Sequence, residues 1–320
     1  MSGSSLKQIK RFLTRLMLIS LIIFLCDLGI GKGLKFFYFR QSSGALYRTT
    51  YAIDSTKAEI LVFGSSRANH HYVPGIFEDS LHHTFYNTGR DGNFTLYNCA
   101  IFESIISRYQ PKMIIMDINP EELGYEIKSY ERLSSLLPYY EDHKEIRKIV
   151  ASRSPFEKIK LFSAIYPYNS TLLTIAMGNF EFNKKRKPDI KGYVPIFKKM
   201  NSHKWDTIRI EKATTDEKKA EALKQMITSC KQRKIDLYFV QSPNYNITLK
   251  NDFNDFILEL CKTNDITYLN FSNDSEFANN PQYFADRIHL NDEGARIFSN
   301  LVIKQIKGNL PPYRQAMVGP

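Results

Sequence analysis

Residues 59–67 read Glu-Ile-Leu-Val-Phe-Gly-Ser-Ser-Arg, a short apolar run closed by a glycine and followed at once by two serines. An apolar run of this length, ended by a turn residue, reads as a strand buried on both faces, and the serines open the helix that follows it. The same pattern recurs along the chain. Phe85 to Gly89 gives a second short strand, Met113 to Ile118 a third, Ile235 to Val240 a fourth and Ile266 to Phe271 a fifth. Helical spacing fills the intervals. Phe94, Tyr97, Ala100, Ile101 and Ile105 mark a helix over 94–109, stopped by Pro111. A charged helix covers 215–233 with Thr215 as its N-cap, and further helices cover 252–262 and 291–307. Apolar strands alternating with helices predict an α/β fold, a doubly wound, flavodoxin-like five-stranded parallel sheet covered on both faces. Function in such folds gathers at the carboxyl ends of the strands.

Residues 121–213 break the alternation. Rich in Tyr, Ser and Lys and without a strong strand signal, they read as an inserted, mostly helical cap within a body spanning 41–320; at this length they are too long for a bare loop. Residues 1–40 read as a cytoplasmic tip, a membrane anchor over about 12–30 and a linker. Phe12 to Ile30 is long enough to cross a bilayer if Arg15 and Asp27 reach toward its two surfaces. Two readings compete, a cleaved signal peptide and an uncleaved signal anchor; Leu25, Cys26, Asp27 and Leu28 offer neither a small-x-small cleavage pattern nor a lipoprotein box, which favours the anchor. Lys7, Lys10, Arg11 and Arg15 precede it, which favours a cytoplasmic amino terminus and an exported body.

The chain has 320 residues, 43% of them hydrophobic, which excludes disorder, collagen and a small disulfide scaffold. The net charge of +11 divides unevenly: +6 falls in residues 1–40 and +8 in residues 151–210, leaving a slightly acidic remainder. Charge alone does not make a nucleic-acid binder, and no groove-reading motif accompanies it. The tract Lys184, Lys185, Arg186, Lys187 suits anionic lipid headgroups or an acidic glycan. Cys26, Cys99, Cys230 and Cys261 form no CxxC pair and stand at no zinc-ligand spacing from a histidine. Buried free thiols are expected for the last three.

Four strand or loop ends carry residues capable of chemistry. Gly64-Ser65-Ser66-Arg67 presents a hydroxyl at a helix amino terminus, where backbone N–H groups and the helix dipole favour developing negative charge. Asn87-Thr88-Gly89-Arg90-Asp91-Gly92-Asn93 exposes glycine amides, and Asp117-Ile118-Asn119-Pro120 places a side-chain amide at a strand end; both are usual oxyanion donors. Asp286-Arg287-Ile288-His289 offers a general base with an orienting carboxylate just before the last helix. Arg67, Asn93 and Gln241 stand near strand ends as candidate substrate contacts. The serine is not followed by the glycine of the α/β-hydrolase nucleophile elbow, because Ala68 stands there.

These blocks resemble those of the SGNH (GDSL-like) hydrolase superfamily. Gly64-Ser65-Ser66 resembles the first block, Gly92 the second, Asp117-Ile118-Asn119-Pro120 the third, and Asp286-x-x-His289 with the following Leu-Asn-Asp-Glu-Gly the fifth. Ser65 replaces the Asp of the first block, and Asp117-x-Asn-Pro replaces Gly-x-Asn-Asp in the third. The resemblance covers roughly residues 58–120 and 234–307. It implies Ser66 as nucleophile, His289 as base, Asp286 as orienting acid, and the Ser66 and Gly92 amides with the Asn119 side chain as oxyanion hole, with no metal and no cofactor. Joined to the anchor, it implies an esterase or O-acyltransferase, of acetyl ester type, on extracytoplasmic cell-envelope or exported polysaccharide. The implied partners are an acylated glycan and a membrane acyltransferase. The alternative is a catalytically weak or inactive SGNH-fold binding or scaffold protein in an envelope polysaccharide pathway, for which the altered third block speaks.

Overall fold

The computed structural model describes residues 3–180, 189–201 and 206–309. The tract Lys184 to Lys187 lies outside the described residues. The strands are β1 (Ile60–Phe63), β2 (Phe85–Asn87), β3 (Met113–Asp117), β4 (Thr207–Ile210), β5 (Asp236–Gln241), β6 (Ile247–Asn251) and β7 (Thr267–Asn270). Five of them form one sheet in the order β2-β1-β3-β5-β7, with every pairing parallel. Counting only these five, the order is the flavodoxin-like 2-1-3-4-5. The helices that matter here are α1 (Gly3–Phe39), α2 (Gly44–Asp54), α3 (Ser66–His71), α4 (Pro74–Leu81), α5 (Thr95–Ile106), α6 (Glu217–Arg233), α7 (Asp252–Thr263) and α8 (Asp292–Asn309).

Strand alternation sorts the side chains into two cores. Leu61, Phe63, Ile114, Met116 and Phe239 face α2, α5, α6 and α7, while Ile60, Val62, Met113, Ile115 and Val240 face α3, α4 and α8. Both faces are covered, which is why the central strands are apolar along their middles, with polar residues only at their ends. Cys99, Cys230 and Cys261 are buried free thiols within the first core, and Cys26 is exposed on α1.

Three expectations need correction. The insertion contains a strand after all: β4 pairs in parallel with β6, an element that the strand pattern also misses. Thr-Ile-Arg-Ile is short and half-exposed, so only its distant partner makes it a strand. The N-cap of α6 is Asp216, not Thr215; its carboxylate accepts the Lys218 and Lys219 amides. Finally, residues 31–39 are not a linker. The membrane-type helix continues unbroken to Phe39 and packs on the body, with Tyr38 buried against Tyr139 and Tyr168. The expected boundary at residue 41 therefore cuts past an element that the core uses.

Candidate active site

The sheet order positions the site. β1 lies between β2 and β3, so the turns after β2 and β3 flank the turn after β1, which carries Ser66. That β1 turn is tight. Gly64 sits at φ +150°, and a Cβ there would stand 2.7 Å from both the Asp117 carbonyl oxygen and the Ala68 Cβ. Its carbonyl accepts the Arg90 amide, and its amide donates to the Asn98 side chain, fixing the first and second blocks to each other. Gly64→Ala is expected to lose about 2–4 kcal/mol of folding stability through strain and overpacking, measured by urea denaturation.

Ser66 opens α3. Its hydroxyl lies 2.7 Å from His289 Nε2, although the two residues are 223 positions apart. His289 Nδ1 lies 2.9 Å from Asp286 Oδ2 and 3.0 Å from Oδ1. The carboxylate requires the proton on Nδ1, leaving the Nε2 lone pair to accept from the serine. Asp286 Oδ1 also accepts the Ile288 and His289 amides, each at 2.9 Å. Partial burial pushes the Asp286 carboxyl upward. The hydrogen bond from His289 and those from the two amides together outweigh this and hold it down at about 2.

Gly92 adopts φ +67°, and neither its amide nor the Asn119 side-chain amide has a hydrogen-bond partner among the described residues. Both follow strands that border β1. The three candidate substrate contacts are placed differently. Asn93 is buried, and its carbonyl accepts the hydroxyl of Ser135 from the cap. Gln241 is buried at the end of β5, where its carbonyl accepts the Tyr268 hydroxyl. Arg67 is buried with Nη1 unpartnered among the described residues, in the field of the Asp117 and Glu122 carboxyls.

The altered residues of the first and third blocks have partners. Ser65 stands near Glu122, whose carboxyl burial pushes up to about 7 against the lowering influence of Ser65. Asp117 is buried and accepts the hydroxyls of Tyr72, at 2.6 Å, and Ser242. Burial is the leading cause that raises its carboxyl above the usual range.

Sequence reasoning missed the two histidines behind His289. His70 Nε2 stands 3.2 Å from Asp91, and its ring meets that of His289 edge-on at 5.7 Å. His71 Nε2 accepts the Leu290 amide at 2.9 Å, tying the His289 loop to the helix that carries Ser66. A histidine pair at adjacent helix positions carries no spacing signal; only the neighbouring loop gives it meaning. Burial lowers His71 well below the usual imidazole range, so the folded state keeps it neutral. Below about pH 6.5 the unfolded chain binds a proton there that the folded chain refuses, so this group's stability contribution falls as pH falls. His71→Leu is expected to orphan the Leu290 amide at a cost of about 1–3 kcal/mol at neutral pH, and to flatten the stability loss between about pH 6.5 and 5. Urea midpoints across that range check both.

A cavity of about 610 Å³ adjoins the second block. Arg48, Arg90, Arg132, Ser134, Ser135 and Asn93 contribute to its wall.

No protein-family model and no curated protein matches the chain. Among solved structures, it is similar to a protein assigned to the lipolytic G-D-S-L family from Desulfitobacterium hafniense, with 8% identity over 77% of this chain and 98% of that one at a TM-score of 0.39. It is also similar to a protein assigned as an acylhydrolase from Bacteroides fragilis (12% identity, 81% and 90% coverage, TM-score 0.41). A third is a protein assigned as a platelet activating factor from Streptococcus pneumoniae (12% identity, 91% and 98% coverage, TM-score 0.42).

Proposed function

We propose that the chain is a serine esterase or O-acyltransferase of the SGNH type. The observation that carries this reading is the continuous Ser66–His289–Asp286 hydrogen-bond chain at the carboxyl end of β1. In the reaction, Ser66 Oγ attacks the ester carbonyl while its proton passes to His289 Nε2. Asp286 holds the imidazole and stabilises the imidazolium. The Ser66 and Gly92 amides and the Asn119 side chain receive the oxyanion. Collapse breaks the ester C–O bond, and His289 returns the proton to the leaving alkoxide. Water or a sugar hydroxyl, deprotonated by His289, then attacks the acyl carbonyl; the acyl–Oγ bond breaks and His289 returns the proton to Ser66 Oγ, so one triad serves hydrolysis and transfer alike.

The substrate class we propose is an acetylated, acidic glycan of the cell envelope or an exported polysaccharide. The hydroxyl- and arginine-lined cavity beside Asn93 supports this, because guanidinium groups pair with carboxylates and serine hydroxyls with sugar hydroxyls. Helix Lys7–Phe39 is long and apolar enough to cross a membrane. We read it as an anchor with its amino terminus in the cytoplasm and the triad outside, following the basic residues that precede it. A membrane acyltransferase is the partner proposed to supply the acyl group.

The test uses the full chain in detergent, because the end of α1 belongs to the core. Turnover of an acetyl ester and fluorophosphonate labelling at Ser66 are expected. A folded protein that does neither would overturn the enzyme reading in favour of a binding role.

A further inference from the structure

Resting on the reading of α1 as a membrane span, we propose that the ridge Phe156–Ile159–Phe162 is a lipid-facing wedge seated in the outer surface of the same bilayer.

The ridge inverts the ordinary surface pattern. Phe156, Ile159 and Phe162 are 61%, 63% and 82% exposed. The Ile159 amide donates to the Phe156 carbonyl at 3.0 Å, and the Phe162 amide donates to the Ile159 carbonyl at 3.1 Å. Bonds from the Lys160 amide to Phe156 and from the Leu161 amide to Glu157 complete a short α-helical turn between them, and residues three apart on such a turn lie on one face, so the three apolar groups share it. The carboxylate of the same segment turns inward instead. Glu157 is buried, paired with Arg153 at 2.7 Å and Lys160 at 3.0 Å and accepting the Tyr166 hydroxyl. Large apolar groups outward with a carboxylate inward suit contact with lipid rather than water. Lys158 is exposed within the ridge, as expected beside anionic headgroups.

The junction with α1 sets the depth of the ridge. Side chains of α1 are exposed from Phe12 to Leu25, and the helix meets the body at Asp27. Asp27 accepts the Ser163 hydroxyl and the Ala164 amide, each at 2.6 Å, and the Ile165 amide at 3.4 Å. A Cβ on Gly31 would stand 2.4 Å from the Ala164 Cβ, so the helix backbone rests directly on this segment. Crossing a hydrocarbon core takes about 20 residues, or about 30 Å of helix, and Phe12 to Gly31 supplies that length. The contact at 27–31 is therefore the last turn and a half of the span. Phe162, the residue before Ser163, lies at the boundary between hydrocarbon and headgroups. The same contact explains why a carboxylate is tolerated at this depth: its partners are built into the body, so it need not reach for water. Helix and ridge together give two attachments, which fix the height and tilt of the catalytic body over the membrane.

The full chain, with its single tryptophan removed as Trp205→Phe, is placed in vesicles containing anionic phospholipid, carrying either Phe162→Trp or Leu249→Trp, the latter at an exposed position of β6. Circular dichroism checks that both fold like the parent. Phospholipid brominated near the headgroup is expected to quench most of the emission of the tryptophan at 162 and to leave that at 249 unchanged. Carbonate extraction reads the anchor separately. A chain that resists extraction while the tryptophan at 162 stays unquenched would overturn the wedge and leave the anchor standing. A chain released by carbonate would overturn both.

Discussion

Ser66→Ala is expected to leave a folded protein whose ester turnover is lower by about 10⁴- to 10⁶-fold. The hydroxyl is the sole group of Ser66 that the mechanism uses covalently. Its removal spares the backbone amide that opens α3, so oxyanion binding and the fold both persist. The residual rate is what those remaining groups supply. Fluorophosphonate labelling should vanish in step with turnover. A variant that keeps near-parental acetyl-ester turnover would remove Ser66 from the mechanism, whatever the other blocks resemble.

Asp286→Asn is the second large effect, expected to lower kcat by about 10³- to 10⁴-fold. The geometry gives the reason. Oδ1 of Asp286 accepts two backbone amides, while Oδ2 makes the shorter contact to His289 Nδ1. An asparagine keeps the two amide bonds by pointing its carbonyl at them, which turns its NH₂ toward Nδ1. That arrangement demands an unprotonated Nδ1 and puts the proton on Nε2, where it blocks acceptance from Ser66. Substrate binding is untouched, so KM should change far less than kcat.

The same substitution has a pH signature. The Asp286 carboxyl is held at about 2, below the ordinary aspartate value of 3.8. Its contribution to stability is therefore fully present above about pH 4 and is lost as pH falls through about 2. The parent should lose this contribution over that window, and Asp286→Asn should not. Urea midpoints measured from pH 5 to 2 check it. Because Asp286 stays ionised above this window, any loss of activity at milder acidity belongs to another group.

Most of the framework was legible in the sequence, and physics explains why. A strand covered on both faces is apolar along its middle, so Ile60 to Phe63 and the four similar runs announced the parallel sheet. Turns leaving strand ends in such a sheet share one edge, so residues as distant as Ser66 and His289 could be assigned to one site. The pair Asp286 and His289 was readable because a three-residue loop spacing is local geometry.

What the chain order could not carry was decided by tertiary contact. Strand β4 exists because β6, some forty residues away, supplies its hydrogen bonds. Lys219 looks like one charge on a solvated helix, yet it is buried and donates to the Glu122 and Gly124 carbonyls, each at 2.7 Å, pinning the turn that follows Asn119. His71 is meaningful only because the Leu290 amide arrives beside it. An apolar segment such as Phe12 to Ile30 reads the same whether lipid or protein surrounds it, so the sequence determined that α1 is a candidate span. Only the packed structure decided where that helix meets the body, because Asp27 and Gly31 find their partners on a segment more than a hundred residues further along the chain.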